Sequence, residues 1–574
     1  MGTVVSRVQL IYQTFKSISD SFYALSDRIS RDPGLPVPNP SRSYWCFPPS
    51  PLDSLGDRAL PEYADVVIIG SGIAGTAVAR TLLDRHASPE TKGTALRVVM
   101  LEARDVCSGA TGRNGGHVSP NTYQDYSLLE RKYGTSAAQA IIRFRLAHLP
   151  ALLEVAEEEG LLEDSQARTV EQFDVYLQDP VFREAREALR VYVDALPEQR
   201  EKHTTQEDEA AFKDLQLSEY VTGCISQPGG ALHPYRLVTG ILSRLVSAYP
   251  SFHLLTHMPC TAISTDANSY VVSTPKGTIR ATHVVHAANA WTGHLLPGMR
   301  RKIVPVRVHM SAQRPGRGLL PPGQGWAGNR AFVFYPGSAP HAFDYLTQQP
   351  VPSSAIDDRT VADGSGAAYP APAGELMFGG GASLGGHAEG ALLENIGIVD
   401  DTQNDFVVAA YLGGALERYF APGWGADASA DTNDIEKTKT DGEEARWGEG
   451  RMTAAWCGIM GLSADGQPWV GRVPYAVSQR SEPTSLITET QTQTVQGGEW
   501  IAAGFTGEGM THAWLCGVAL AGMIRGESSS SAHSREKELR EMRDGDAALP
   551  SQFVITERRW DEADFENFLA EVGA

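Results

Sequence analysis

The chain reads as an α/β protein in which a Rossmann-type dinucleotide-binding domain is interrupted by a mostly β lobe and preceded by an amphipathic helix. Three observations predict this. The β-branched run Asp65-Val66-Val67-Ile68-Ile69 leads directly into Gly70-Ser71-Gly72-Ile73-Ala74-Gly75. From Arg301 to Gly381, short strand-like runs alternate with proline and glycine loops. A length of 574 residues exceeds what one hydrophobic core usually holds, so two or more lobes are expected.

The first element is helical. Val8, Ile11, Phe15, Ile18, Phe22, Leu25 and Ile29 alternate spacings of three and four, which places one apolar stripe along residues 1–32. Asp32-Pro33-Gly34 ends it, and residues 33–60, rich in proline, read as an extended connector. The stripe has three destinations: the body of the protein, a partner helix or a membrane surface. Docking on the body is favoured over membrane contact, because Asp20 and Asp27 weaken attraction to anionic lipid. Met1-Gly2-Thr3-Val4-Val5-Ser6 also fits the short myristoylation pattern, which is common by chance.

Next comes the run at Asp65, suited to a buried parallel strand. Ile73 to Arg85 reads as a helix, Ser88 to Thr94 as an enlarged polar loop, and Leu96 to Leu101 as a second strand. Ala138 to Glu159 reads as helical, and Tyr270 to Ser273 and Thr282 to His286 as strands around a Lys276-Gly277 turn. Residues 350–374, 425–450 and 478–498 look like exposed insertions, the second being acidic and poor in apolar residues. The dinucleotide domain is therefore assembled from 61–145, 215–300 and 450–530. The second lobe takes 146–214 and 301–449, and 531–574 is a C-terminal extension.

Composition narrows the function. Lys and Arg number 49 against 69 Asp and Glu, a formal charge of −20, which lacks the basic surface that nucleic acid requires. No run of 18 apolar residues is present, and the start lacks the apolar core of a secretory signal. Six scattered cysteines with no CxxC pair disfavour a zinc site and a dithiol redox centre. No metal is expected, and reduced thiols point to an intracellular, cytoplasmic setting.

The glycine motif stands where dinucleotide chemistry needs it, after a strand and opening a helix. Gly70 permits the tight turn, and Gly72 lets the backbone approach a pyrophosphate held by the amides and dipole of the helix N-terminus. Gly75 permits close helix–strand packing. Ser71, Ile73 and Ala74 complete the cradle, and Glu102 at the end of the second strand suits the ribose hydroxyls. Glu102 lies farther along than the usual ~20 residues, a difference the polar loop absorbs. After Glu102-Ala103-Arg104, the segment Ser108-Gly109-Ala110-Thr111-Gly112-Arg113-Asn114-Gly115-Gly116-His117 forms a small-residue loop rich in donors. Such a loop lets a flat ring system and a diphosphate lie against the backbone, which favours FAD over NAD.

On these residues the sequence resembles the glycine/D-amino-acid oxidase family of FAD-dependent oxidoreductases, and more narrowly its γ-glutamylputrescine oxidase-like branch with fungal members. Further segments carry the resemblance. His283 to Trp291, with Ala288, Asn289 and Trp291, is similar to the family's return to the adenosine end of FAD. Trp456-Cys457-Gly458-Ile459-Met460-Gly461, continuing to Gly471, resembles the closing flavin loop. Gly504-Phe505-Thr506-Gly507-Glu508-Gly509-Met510 opens a helix through Ile524 whose N-terminus, in the family, points at the flavin pyrimidine. That end stabilises the negative charge of a reduced flavin. In relatives the strand after Met258-Pro259 brings a backbone like that of Cys260 to FAD.

The resemblance implies a non-covalent FAD and oxidation of a CH–NH bond in a small amine or amino acid. Hydride passes to the flavin and leaves an imine, with oxygen or another acceptor taking the electrons. No base is required for an unprotonated amine, so no catalytic residue is assigned. This chain departs from its relatives at several positions. Glu508 stands where many carry histidine and is expected to turn away from the flavin. Gly458 falls where some attach FAD through cysteine, leaving Cys457 buried and inert. Glu375-Leu376-Met377-Phe378-Gly379 lacks the lysine that some use with oxygen. Tyr335, Phe343 and Tyr345 suit either an aromatic wall or the core, and Arg307 and Arg314 either a substrate carboxylate or the surface. Rival readings stay open. A monooxygenase would use NAD(P)H, although there is no second GxGxxG, and the second lobe has no residue that rules out a non-catalytic, FAD-stabilised interaction protein.

Overall fold

The computed structural model describes residues 16, 19–20, 22–86, 95–319, 327–337, 343–350, 360–362, 368–370, 374–381, 394–424, 451–483, 497–526 and 548–571. The myristoylation pattern, most of the apolar stripe, the Ser88–Thr94 loop and most of the three insertions lie outside them. So does the first part of the C-terminal extension. No helix among the described residues is long and apolar enough to cross a membrane.

The glycine motif joins two elements of a mainly parallel sheet. Strand β1 (Tyr63–Ile69) is followed by helix α1 (Ile73–His86) and strand β2 (Val98–Leu101). Strands β3 (Phe252–Leu255), β4 (Gly277–His286), β5 (Trp469–Arg472) and β6 (Gly498–Ala503) complete the order β5-β6-β4-β1-β2-β3. All but β5 run parallel, with Val66 beside Val98 on one side and His283 on the other. Such strands are covered on both faces and so are apolar throughout. Val66, Ile68, Val98 and Met100 pack towards α1 and helix α2 (Ala513–Ile524), while Val67, Val99 and Leu101 pack with Tyr270, Val272 and Val284. The predicted hairpin is present, with Tyr270–Thr274 antiparallel to β4. Helices α1 and α2 approach so closely at Gly517 that an added Cβ would lie 2.6 Å from the Ala74 carbonyl. That contact brings both helix N-termini to the same end of the sheet.

The second lobe is built on a nine-stranded sheet containing Ile303–Gln313, Arg330–Tyr335, Asp344–Gln348, Leu376–Gly379 and Arg168–Tyr176. Gly223–Ala231 and Met452–Ser463, expected within the dinucleotide domain, hydrogen-bond into this sheet. His117–Val118 pairs with it too, so the glycine loop ends at the junction of the lobes. Phe173, Phe332, Phe334 and Phe378 pack there against helix Phe406–Phe420. The helix expected from Ala138 to Glu159 is two, Thr135–Leu146 and His148–Glu158. Pro150 explains the division, since it has no N–H to offer the Leu146 carbonyl.

Residues 22–30 are helical and pack on this body. Leu25 and Ile29 are buried beside Leu296, Met299 and Phe565, while Phe22 is exposed. Arg301 Nη1 donates to the hydroxyls of Ser26 and Ser30 at 3.0 and 3.2 Å.

Candidate functional site

A cleft opens at the carboxyl ends of β1, β2 and β4, where ligands of open α/β sheets bind. Its walls carry Gly70, Ser71, Gly72, Ile73 and Ala74 at the head of α1, and Glu102, Ala103 and Arg104 after β2. Gly109, Ala110, Thr111, Arg113 and Asn114 of the small-residue loop follow, with Cys260, Ala288, Asn289 and Trp291. Gly458, Gly507, Gly509 and Met510 close the far side with Ala513 at the head of α2. Two helix N-termini thus face one cleft and supply positive potential to an anionic ligand at both ends.

The local geometry is rigid. Gly70 has φ +109°, a conformation that favours glycine. The Glu102 carboxylate accepts from Ser71 N at 3.1 Å, Ser71 Oγ at 2.7 Å and Arg104 N at 3.0 Å, which leaves an acceptor site on Oε1. Asn114 braces its own loop, donating to the Thr111 carbonyl at 3.0 Å and accepting from Gly116 N at 2.7 Å. Beneath the loop, Arg104 and Arg113 share the fully buried Asp401, at 3.0 and 3.6 Å. Arg113 Nη1 also donates to the Cys457 carbonyl at 2.7 Å, tying the glycine loop to strand Met452–Ser463.

Seven of the predicted positions stay behind the wall. An added Cβ at Gly75 would lie 2.2 Å from the Gly70 carbonyl, at Gly461 2.8 Å from Asn289 Oδ1, and at Gly115 2.4 Å from the Tyr345 ring. These glycines serve close packing. Gly116 meets the Leu232 carbonyl, and the Ser108 carbonyl accepts from both arginines. His117 packs edge-on to Tyr345, ring centroids 5.6 Å apart, and burial holds its pKa down at about 4, so it is neutral at ordinary pH. Glu508 turns from the cleft although both neighbours line it. Its Oε1 accepts from Asn121 Nδ2 at 2.9 Å and its Oε2 lies 3.4 Å from Arg145 Nε. Desolvation pushes its pKa up to about 7, against the opposing pull of Arg145.

Of the three aromatic candidates Tyr345 reaches the wall, whereas Tyr335 stacks on Tyr176 at 4.8 Å in the core. Arg307 is held by Asn395 Oδ1 at 2.9 Å and, like Arg314, is not on the wall. Sequence reasoning missed Val308, Met310, His294 and Leu295, and also Gly34, Leu35 and Pro36 of the connector. The apolar ones carry no motif. Alternation does flag Val308, which pairs with Gly458 on the same face of two adjacent strands.

The sheet order, the glycine turn, the carboxylate at the end of β2 and the paired helix ends define a dinucleotide-binding cleft. The chain belongs to the FAD dependent oxidoreductase family, whose sequence pattern matches residues 65–523. Gamma-glutamylputrescine oxidoreductase of Escherichia coli strain K12 is 24% identical over 295 residues, 47% of this chain and 60% of that protein. The chain thus matches less than two thirds of that relative's length. Among solved structures, L-proline dehydrogenase from P. horikoshii shows a TM-score of 0.53 at 17% identity, covering 83% of this chain and 99% of its own. Glycine oxidase from Geobacillus kaustophilus shows 0.52 at 16%, covering 86% and 99%. Both show a shared fold.

FAD is the cofactor, and the cleft fits it. Trp291 lines the wall with its indole N–H buried and without a hydrogen-bond partner among the described residues, a donor that a bound ligand would satisfy. Gly458 lies on the wall, while the neighbouring Cys457 Sγ points to the Gln403 carbonyl at 3.3 Å on the opposite side. Burial also raises the Cys457 pKa, which suppresses the thiolate. Acid precipitation is therefore expected to release the flavin into the supernatant, with normal FAD content in Cys457→Ser. Flavin retained in the acid pellet of the wild type would show a covalent link instead.

Proposed function

We propose that this chain oxidises the CH–NH bond of a small amine or amino acid. The observation that carries this reading is the wall beyond the glycine loop, made by Val308, Met310, Tyr345, Ile459 and Met460. Burial pushes the Tyr345 hydroxyl far above its ordinary pKa, so nothing in this group is charged at neutral pH. An ammonium ion entering such a wall is penalised relative to the free amine.

In this reading the cofactor lies along the predicted wall residues. Gly70 to Ala74 would cradle the pyrophosphate, Glu102 would bind the ribose, and Gly507, Gly509 and Met510 with the head of α2 would face the pyrimidine. FAD, when bound, would supply the acceptor for a hydride equivalent from the carbon next to nitrogen. The chain's own part is to orient the neutral amine, exclude water and hold the ring system. Oxygen or another acceptor then takes the electrons.

The test is anaerobic reduction of the purified protein. Some primary or secondary amine or amino acid is expected to bleach the flavin band, faster as pH rises and the amine loses its proton. Bleaching by NADPH, with none by any amine in a broad panel, would move the assignment to a monooxygenase. No bleaching by either class would point to an interaction protein.

A further inference from the structure

The connector ahead of β1 lies outside the matched residues 65–523, yet Gly34, Leu35 and Pro36 form part of the cleft wall. This crossing is pinned at both ends. At one end, Asp32 lies 2.9 Å from His294 Nδ1 and 2.8 Å from Arg300 Nη2, and its Oδ1 accepts from Gly34 N at 2.8 Å. Gly34 has φ +66°, which lets the chain turn out of the preceding helix and across the cleft. At the other end, Ser41 N donates to the Asp401 carbonyl at 2.6 Å and Ser43 Oγ to the Gly112 carbonyl at 2.6 Å. The buried Trp45 donates from Nε1 to the Asn114 carbonyl at 2.5 Å. Midway, Arg104 Nη1 donates to the Val37 carbonyl at 3.3 Å.

The segment therefore runs from the His294 side of the cleft to the loop following Glu102. Pro33, Pro36, Pro38 and Pro40 restrict it, so little chain entropy is lost in holding it there. Leu35 sits on the wall 41% exposed, an apolar surface that a flat ligand beside Glu102 would cover.

We propose that residues 33–41 form a strap over the adenosine end of bound FAD and set the rate at which the cofactor leaves. The inference rests on the cofactor assignment and extends the binding site into a stretch that the family pattern does not reach. Leu35 supplies the contact, Asp32 holds the strap against the His294 side, and Ser43 and Trp45 hold it against the glycine loop.

The test is the rate of FAD release from the holoprotein, followed by the rise of free-flavin fluorescence on dilution. Leu35→Ala removes the contact and Asp32→Ala the anchor, and both residues are exposed enough to change without opening the core. Leu162→Ala, an exposed leucine in the turn after helix His148–Glu158 and off the cleft wall, is the control. Both strap variants are expected to release FAD about tenfold faster than wild type, the factor given by ~1.4 kcal/mol of lost interaction, with unchanged circular dichroism and with the control unaffected. Release at the wild-type rate in both variants would overturn the strap and leave the cofactor assignment standing. A wild-type protein that holds no FAD would overturn the assignment itself and the strap with it.

Discussion

Gly72→Val is expected to fold and to purify colourless, with no FAD absorbance where the wild type is yellow. The reason lies in what surrounds this glycine. An added Cβ would meet only the Thr111 hydroxyl, at 3.2 Å, a contact that a small shift relieves. The two further methyl carbons of valine would stand in the cleft itself, where the pyrophosphate must approach the amides at the head of α1. The loss is therefore one of binding, not of folding. Gly75→Val supplies the contrast, because its Cβ would lie 2.2 Å from the Gly70 backbone carbonyl. That variant is expected to misfold. Absorbance at the flavin band and circular dichroism separate the two outcomes. Full FAD occupancy in Gly72→Val would contradict the placement of the pyrophosphate.

Much of this site was legible because its parts are local in sequence. Strand, glycine turn, helix and terminal carboxylate occupy residues 63–102, and each has a residue-type requirement set by backbone geometry or hydrogen bonding. The loop from Ser108 to His117 was legible for the same reason, although its last residues serve packing and leave the wall to Arg113 and Asn114. What escaped was set by tertiary contact. Val308 and Met310 are ordinary strand residues until Gly458 pairs beside them. Gly34 to Pro36 read as linker because nothing in a proline-rich stretch says which surface it crosses. Glu508 is the instructive case. A carboxylate just ahead of α2 was expected to turn aside, and Asn121 and Arg145 show what receives it. Neither partner is signalled by local sequence, since Asn121 stands 387 residues earlier in the chain and Arg145 is comparably remote.

The buried pair of arginines beneath the glycine loop carries a second large effect. Arg104 and Arg113 are both nearly inaccessible, and Asp401 is their shared counter-ion. Burial already draws the Arg113 pKa down, opposed first by the Asp401 charge, which shows how much the guanidinium depends on that carboxylate. Asp401→Ala leaves two buried cations facing each other. Removing one partner of a buried ion pair costs ~3–5 kcal/mol. The lower end is expected here, because Ser108, Val37 and Cys457 carbonyls continue to accept from the guanidinium groups. For 574 residues unfolding together, a loss of about 3 kcal/mol corresponds to a fall in melting temperature of roughly 2–3 °C. Asp400→Ala is the matched control. Its carboxylate accepts within its own turn, from Thr402 N at 2.9 Å and Thr402 Oγ1 at 2.7 Å. That exposed change is expected to cost well under ~1 kcal/mol. Thermal unfolding of both variants at saturating FAD makes the comparison. Equal melting temperatures in Asp401→Ala and Asp400→Ala would mean that the two guanidinium groups do not need the carboxylate, and that the loop is held by its carbonyl contacts alone.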